Sequence, residues 1–282
     1  MALIELAYAK QYLRRGTDRS QDRLIQLLID LVSDRAEVFC DRRFESATYT
    51  HERYDGTGTT KLNLKNFPVT ALSRISIGTE SPMTIINTSS DAATATARVT
   101  TTSLVLTIVG GANAGTDTLV LADADKDTLG ELDDAIIAVG KDWSATTSSE
   151  YEDTPSSELL PCGGWSCLDA QANLYIPSTP ITGYELYAQR GEVYYDSGFD
   201  VGAQNVIVDY TAGYTTIPDD LRLAVMELLA YQYSVSGHDP LLMSEKIGDY
   251  SYKTGGLDGV VVEIPYALME RNLARWKRFY VL

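Results

Sequence analysis

The segment VIVDYTAGYTTIPDDLRLAVMELLAYQY, residues 206–233, constrains the fold most, because it changes from a strand pattern to a helix pattern within a few residues. Alternating apolar residues lead to Gly213, and Pro218 then suits the first turn of a helix over about 218–236. Two apolar rows follow that helix: Leu221, Val225, Leu228 and Val235 form the first, and Leu223, Met226, Ala230 and Tyr233 form the second. One row can pack inside a subunit, while the other needs another helix of the chain or a neighbouring copy.

Helical spacing also predicts two N-terminal helices, over residues 3–14 and 20–39, and a last helix over about 265–280. In the second helix, Ile25, Leu28, Val32, Ala36 and Phe39 form one apolar stripe, and Leu24, Leu27, Leu31 and Val38 form an adjacent one. An apolar arc of this width predicts a helix that is covered on more than one side.

Alternating polar and apolar residues predict strands around this helical part. Residues 47–55 and 60–66, joined by YDGTGTT, are predicted to pair as a hairpin, and an extended segment follows up to Gly78. A second hairpin is predicted within GYELYAQRGEVYYDSG. The fold class is therefore α+β, with a helical bundle core of two N-terminal and two C-terminal helices and a β-rich part. The predicted helices at 218–236 and 265–280 leave a long loop between them.

Residues 80–179 differ in composition, being rich in Thr, Ser and Gly. Two strands flank GGANAGT, a helix is predicted near 128–139, and residues 143–180 have a loop-like composition. The segment is predicted to be an inserted β-β-α module. The remainder, residues 1–79 and 180–282, then forms one discontinuous core domain.

The charge of the chain is −16, from 23 basic and 39 acidic residues, so on average it repels nucleic acid. The first residues lack a signal-peptide pattern, and no apolar run is long enough to span a bilayer. These features predict a protein made in the cytoplasm without a membrane partner. Cys162 and Cys167 could form a local disulfide only in an oxidising setting.

Signatures of catalysis and of cofactor binding are absent from the sequence. There are two His residues, and neither a nucleophile elbow nor a zinc-protease motif occurs. DADKDTLGELDD resembles the start of a calcium loop, but Thr128 stands where the loop needs glycine. Thr128 and Glu131 instead predict a capping box that opens the next helix. No catalytic, metal or cofactor residue is predicted.

The last helix carries two distinct faces. Met269, Leu273, Trp276 and Tyr280 form an apolar face, and Arg271, Arg275 and Arg278 form a basic one. The arginines suit the negative end of the helix dipole, and they equally suit docking onto an acidic partner.

The order of these segments resembles that of head-tail connector (adaptor) proteins of tailed bacteriophages. The resemblance rests on LIELAYAKQYL, the helix and strands that follow it, VIVDYTAGYTTIPDDLRLAVMELLAYQY and the later SEKIGDYSY. It covers roughly residues 3–78 and 181–282. The module at 80–179 departs from the shorter members of the family, so its role is not implied.

The resemblance implies a structural virion protein and not an enzyme. It implies a homo-oligomeric ring, typically a dodecamer, at the neck between head and tail. Such a ring binds the portal protein, extends the DNA channel without specific DNA binding, and offers a docking surface to a tail-side stopper or completion protein. Candidate subunit or portal contacts are Leu223, Met226, Tyr233, Ile247, Tyr250, Arg271, Arg275, Trp276, Arg278 and Tyr280. The alternative is a cell-surface or carbohydrate-binding β-rich protein, which the Thr/Ser/Gly-rich module suggests.

Overall fold

A computed structural model describes residues 2–236, 244–247, 250–253 and 266–278, and it has the predicted mixed α+β class. The α-helices in this part of the chain are α1 (Leu6–Tyr12), α2 (Asp22–Cys40), α3 (Leu129–Val139), α4 (Asp219–Ser236) and α5 (Tyr266–Leu273). None of these helices is both long and apolar enough to cross a membrane.

The strands form small antiparallel sheets. In chain order they are β1 (Ala47–Gly56), β2 (Lys61–Asn63), β3 (Val69–Ile77), β4 (Thr79–Asn87), β5 (Thr94–Val99), β6 (Ser103–Val109), β7 (Gly115–Val120), β8 (Trp143–Thr147), β9 (Trp165–Ser166), β10 (Ala172–Pro177), β11 (Glu185–Tyr187), β12 (Glu192–Tyr194), β13 (Gly202–Ala212), β14 (Ser244–Ile247) and β15 (Tyr250–Lys253). The sheet orders are β1-β13-β3, β11-β12-β2, β10-β4-β8 and β7-β6-β5-β9, and β14 pairs with β15.

The predicted hairpin of residues 47–55 and 60–66 is wrong in its pairing, although both strands exist. β1 pairs along its length with β13, and β2 pairs with β12. The eleven-residue β13 offers β1 a longer ladder than the three-residue β2 could. The second predicted hairpin is confirmed, since β11 pairs with β12.

Buried apolar residues fall into three clusters. The first, here called the helical core, contains residues 3–44 and 221–273 from α1, α2, α4 and α5. The second, the sheet core, lies between residues 62 and 75 and between 193 and 212. The third, the module core, contains only residues between 83 and 176. The buried residues of each cluster thus come from one part of the chain or from elements that pack together.

Residues 79–177 contain more structure than predicted. The hairpin around GGANAGT is present as β6 and β7, and the predicted helix is α3. The prediction that residues 143–180 are loop-like is wrong in part, because β8 and β10 both pair with β4. In the first five residues of β10, buried residues alternate with exposed ones, so the pattern of a strand was present in the sequence there.

The ends of this segment lie side by side. Thr79 at the start of β4 pairs with Pro177 at the end of β10, and the backbone N–H of Ser178 donates to the carbonyl of Gly78 at 3.2 Å. We therefore expect a fragment of residues 79–178 to fold on its own, since its core is self-contained and its ends already meet. Cooperative thermal unfolding of the fragment, followed by circular dichroism, checks this, and a fragment without a transition would contradict it.

An ion cluster connects the β1-β13-β3 sheet, here called the main sheet, to the 3-10 turn that contains Glu158. The guanidinium of Arg74 on β3 binds both carboxylate oxygens of Glu158, and its Nε lies 3.4 Å from Oδ2 of Asp209 on β13. His51 Nε2 lies 3.6 Å from Oε2 of Glu158. Hydrogen bonds from His51 and Arg74 lower the pKa of Glu158 from 4.5 to about 2.

This lowered pKa predicts a pH dependence of stability. The stabilisation by ionised Glu158 is complete above its unfolded pKa of 4.5 and is lost as the pH falls towards about 2. We expect Glu158→Gln to lower the free energy of unfolding by about 2–3 kcal/mol at pH 7. The difference should shrink towards zero near pH 2. Urea unfolding across this pH range checks it, with the exposed Glu5→Gln as control, and a deficit that does not change with pH would contradict it.

The C-terminal elements differ from their predicted boundaries. The last α-helix ends at Leu273 and continues as a 3-10 turn over Ala274–Trp276, so it is shorter than the predicted 265–280. The predicted loop between α4 and α5 contains the strands β14 and β15.

Candidate assembly surface

The exposed face of α2 carries a row of apolar side chains. Leu24, Leu27, Leu31 and Val38 make up this row, called the α2 row below. Leu27 is 62% exposed and Val38 is 80% exposed. Leu27, Leu31 and Val38 follow Leu24 by three, seven and fourteen residues. Helical spacing therefore places the four side chains within a narrow arc of the helix surface. The buried side of the same helix contributes Ile25, Ile29 and Val32 to the helical core. α2 is thus apolar on two sides and covered on one.

Charged residues border the α2 row. Asp30 and Asp34 are exposed and lie beside it by helical spacing, and Arg23 lies at its N-terminal end. Gln26 holds Asp30 through a hydrogen bond from Nε2 to Oδ1 of 3.1 Å. By the same spacing, the half-buried Arg35 lies on the opposite side of the row, so the α2 row is an apolar strip with Asp30 and Asp34 along one side.

A second surface, here called the N-terminal patch, consists of Tyr8, Tyr12, Arg14 and Arg15, all exposed. It is basic and aromatic in a chain of charge −16. Two cation–π contacts connect it to α4: the Arg222 guanidinium lies 5.0 Å from the Tyr8 ring, and the Arg15 guanidinium lies 5.4 Å from the ring of Tyr233, which is outside the patch. The N-terminal patch is complementary in charge and chemistry to the α2 row.

The two apolar rows of α4 are used differently. Leu221, Val225 and Leu228 of the first row are buried in the helical core. In the second row, Met226 and Tyr233 are half-buried and pack against the same core, and the Tyr233 hydroxyl donates to Gln21 Oε1. Leu223 is 46% exposed. Most of the second row thus finds its cover on another helix of the same chain.

The arginines of the last helix are paired within the subunit. Arg271 Nη2 lies 3.4 Å from Glu227 Oε2, and Arg275 forms an ion pair with Asp220, both on α4. Arg278 Nη1 lies 3.5 Å from Asp41 Oδ2, and its backbone N–H donates to the Cys40 carbonyl at 2.9 Å. Arg271 and Arg275 stay largely exposed, so their pairs contribute little stability and leave the cations accessible.

The apolar face of α5 points into the subunit. Leu273 is fully buried in the helical core, and the Cys40 thiol lies 3.8 Å from its carbonyl oxygen. Burial raises the pKa of Cys40 to about 12, so this residue remains a neutral thiol. Trp276 packs edge-on against Phe44 and Tyr214, with ring centroids 6.4 and 6.1 Å away. α5 is thus an integral part of the helical core.

Three other predicted contact residues are described as backbone only or lie outside the described residues. Ile247 and Tyr250 belong to β14 and β15, whose backbone is described, and Tyr280 lies outside the described residues. The α2 row was visible in the sequence as the second stripe of that helix. Periodicity alone could not predict that this stripe stays exposed in the subunit.

The calcium-like segment has the predicted capping box. The Thr128 hydroxyl accepts from the Glu131 backbone N–H at 3.3 Å, and the Glu131 carboxylate accepts from the Thr128 N–H at 3.4 Å. Over the described ranges, no group of three or more His, Cys, Asp or Glu is arranged to hold a metal ion.

No protein-family model and no curated protein matches the chain. Several solved structures resemble it, among them three that match nearly its whole length. A chain in the neck of an empty gene transfer agent (GTA) particle, computed with C6 symmetry, is 15% identical, with 99% of this chain and 92% of that chain covered and a TM-score of 0.38. A chain in the virion of a native gene transfer agent particle is 15% identical, with coverage of 99% and 92% and a TM-score of 0.32. A chain in the neck of a native GTA particle, computed with C12 symmetry, is 14% identical, with coverage of 100% and 94% and a TM-score of 0.29. At these TM-scores, no function follows from the similarity.

Proposed function

We propose that this chain is a structural subunit of a virion neck, where copies form a closed ring between head and tail. The ring, typically of twelve copies, binds the portal protein, extends the DNA channel and receives a tail-side stopper or completion protein. Two supports carry the proposal: the order of sequence segments that resembles head-tail connectors, and the exposed α2 row.

The α2 row is the single observation that carries most weight. Covering a leucine side chain contributes about 1.5–3 kcal/mol relative to leaving it in water, so four adjacent exposed apolar residues favour association. The helix already contributes a full face to its own core. Its second face therefore serves a contact outside the subunit.

A ring needs two different surfaces on each subunit, because only a head-to-tail contact closes around an axis. The α2 row and the N-terminal patch are two such surfaces. We place the α2 row of one copy against the N-terminal patch of the next, with Asp30 and Asp34 facing Arg14 and Arg15. Two α2 rows placed against each other would instead bring the like-charged Asp30 and Asp34 of both copies together, which disfavours that contact.

We assign the portal contact to exposed residues of the C-terminal elements. Leu223, Arg271 and Arg275 are accessible and lie on α4, α5 and the turn after α5. Ile247, Tyr250 and Tyr280 remain candidates for the same contact. Met226, Tyr233, Trp276 and Arg278 would act there by holding this surface in place, since they pack or pair within the subunit.

The remaining parts fit a structural role. A chain of charge −16 suits a channel wall that genomic DNA passes without being held. Residues 1–79 and 180–282 form the ring-building core domain in this proposal. The inserted module of residues 80–179 is carried on it through the adjacent strands β4 and β10.

Electron microscopy of the purified chain mixed with purified portal rings tests the function. The expected particle is a ring of this chain coaxial with the portal. The double substitution Arg271→Ala and Arg275→Ala should weaken attachment to the portal without changing the free energy of unfolding by more than about 0.5 kcal/mol. Chains that never associate with the portal at any concentration would contradict the proposal.

A further inference from the structure

A cavity of about 420 Å³ lies where the inserted module meets the main sheet, and the function proposed above does not use it. Arg53 of β1 lines one side, and Trp165 of β9 together with Asn173 and Tyr175 of β10 lines the other. Its volume falls within the range of about 300–1,000 Å³ that is usual for sites of small-molecule ligands.

The walls of the cavity are fixed by backbone hydrogen bonds. The N–H of Leu160 donates to the Tyr175 carbonyl at 2.8 Å, and the N–H of Cys162 donates to the Val99 carbonyl at 3.0 Å. Trp165 pairs with Ala97 on β5. The loop that supplies Cys162 and Trp165 is thus pinned to two strands, so the site is formed before a ligand arrives.

The electrostatics of the cavity differ from those of the chain as a whole. The chain has 39 acidic residues, yet none of the ten lining residues is Asp or Glu. Arg53 is exposed and makes no ion pair with any described carboxylate. An unpaired guanidinium in such surroundings favours an anionic ligand and disfavours a cation.

The aromatic residues define the rest of the ligand. Trp165 is 47% exposed and Tyr175 is 36% exposed, although both rings would be stabilised by cover. Asn173 and Tyr175 alternate outward on β10, so an amide that can donate and accept lies next to an aromatic ring. A sugar ring combines an apolar C–H face, which packs on aromatic rings, with hydroxyl groups at its edge, which bond to amides. An acidic sugar adds the carboxylate that Arg53 can bind through two parallel hydrogen bonds.

We propose that this cavity binds an acidic carbohydrate of the uronic acid class. Trp165 and Tyr175 contact the C–H face of the sugar, Asn173 bonds its hydroxyl groups, and Arg53 binds its carboxylate. A virion neck subunit with this site would carry a glycan contact on its inserted module. The site does not depend on ring formation, so failure of either proposal leaves the other standing.

Titration of the full chain with glucuronate, glucose and citrate tests the proposal through tryptophan fluorescence, since Trp165 is exposed, whereas Trp143 is buried and Trp276 is half-buried against the helical core. We expect glucuronate to bind at least tenfold more tightly than glucose, and citrate not to bind at concentrations up to tens of millimolar. Arg53→Gln should remove the preference for glucuronate, and Trp165→Ala should abolish binding. The controls Arg190→Gln and Tyr187→Ala change an exposed Arg and an exposed Tyr elsewhere and should have no effect.

Thiol protection gives a second readout that needs no tryptophan. Cys162 lines the cavity and is half-buried, whereas Cys40 and Cys167 are buried. Bound glucuronate should slow alkylation of Cys162 in the folded chain, and glucose at the same concentration should not. Equal binding of citrate and glucuronate would reduce the site to a simple anion site and overturn the proposal. Absence of glucuronate binding in a folded chain would also overturn it.

Discussion

The double substitution Leu27→Lys and Leu31→Lys is expected to abolish ring formation while the monomer stays folded. Both side chains are exposed in the subunit, so the monomer loses little stability. In the proposed ring, each contact would bury two ammonium groups opposite the like-charged Arg14 and Arg15 of the N-terminal patch. Burial of an unpaired charge costs several kcal/mol, so the association constant should fall by at least about 10³-fold for each contact.

Sedimentation velocity and negative-stain microscopy of wild type and variant check this result. Ile137→Lys is the matched control, because Ile137 is also an exposed apolar residue on a helix, but it lies on α3, far in sequence from the α2 row. The control should assemble like wild type. Normal rings from the double variant would show that the α2 row does not mediate assembly.

A second large effect is expected in the helical core. Leu273→Ala should lower the free energy of unfolding by about 2–5 kcal/mol, because it leaves a cavity where a fully buried leucine joins α5 to the rest of the helical core. Leu223→Ala on α4 is the matched control. Leu223 is exposed, and its loss should change stability by about 0.5 kcal/mol or less.

Chemical denaturation monitored by circular dichroism separates the two variants. Equal stabilities would mean that α5 is only loosely attached and is free to leave the subunit for a partner. The expected loss instead implies that deleting the last helix damages the fold. Portal attachment is then better tested with the surface variants Arg271→Ala and Arg275→Ala.

Local patterns predicted local structure well in this chain. The capping box at Thr128 and Glu131 begins α3, and the change from strand to helix across residues 206–233 is found as β13 and α4. These features depend on neighbours within one or two helical turns or on a short strand repeat, so the sequence contains most of the information that determines them.

Partners that are distant in sequence were not predictable in the same way. β1 was assigned to the nearest following strand, although its partner β13 begins about 150 residues later. The arginines at 271 and 275 gave no sign that they would meet Glu227 and Asp220 on α4. Trp165 and Tyr175 are close in sequence, but only the pairing of β9 with β5 and of β10 with β4 places both at one cavity with Arg53.

Helical spacing predicted only part of the candidate assembly surface. The second stripe of α2 was apparent from helical spacing, and so was the expectation that this helix is covered on two sides. Which of two stripes stays exposed depends on how α1, α4 and α5 pack, and that packing is set by contacts across more than 200 residues. For α4, the same reasoning left the cover of the second row open between another helix of the chain and a neighbouring copy. The structure covers Met226 and Tyr233 of that row within the subunit.

Cross-linking between copies tests the central claim most directly. In a chain with Cys162→Ser, cysteines are placed at Leu27 on the α2 row and at Tyr12 on the N-terminal patch, and a short bis-maleimide reagent is added in the presence of portal rings. A head-to-tail ring predicts a ladder of covalent oligomers that ends at one closed species, and neither cysteine alone should give a ladder. Covalent dimers from the Leu27→Cys chain alone, or monomers from the chain with both cysteines, would contradict the account.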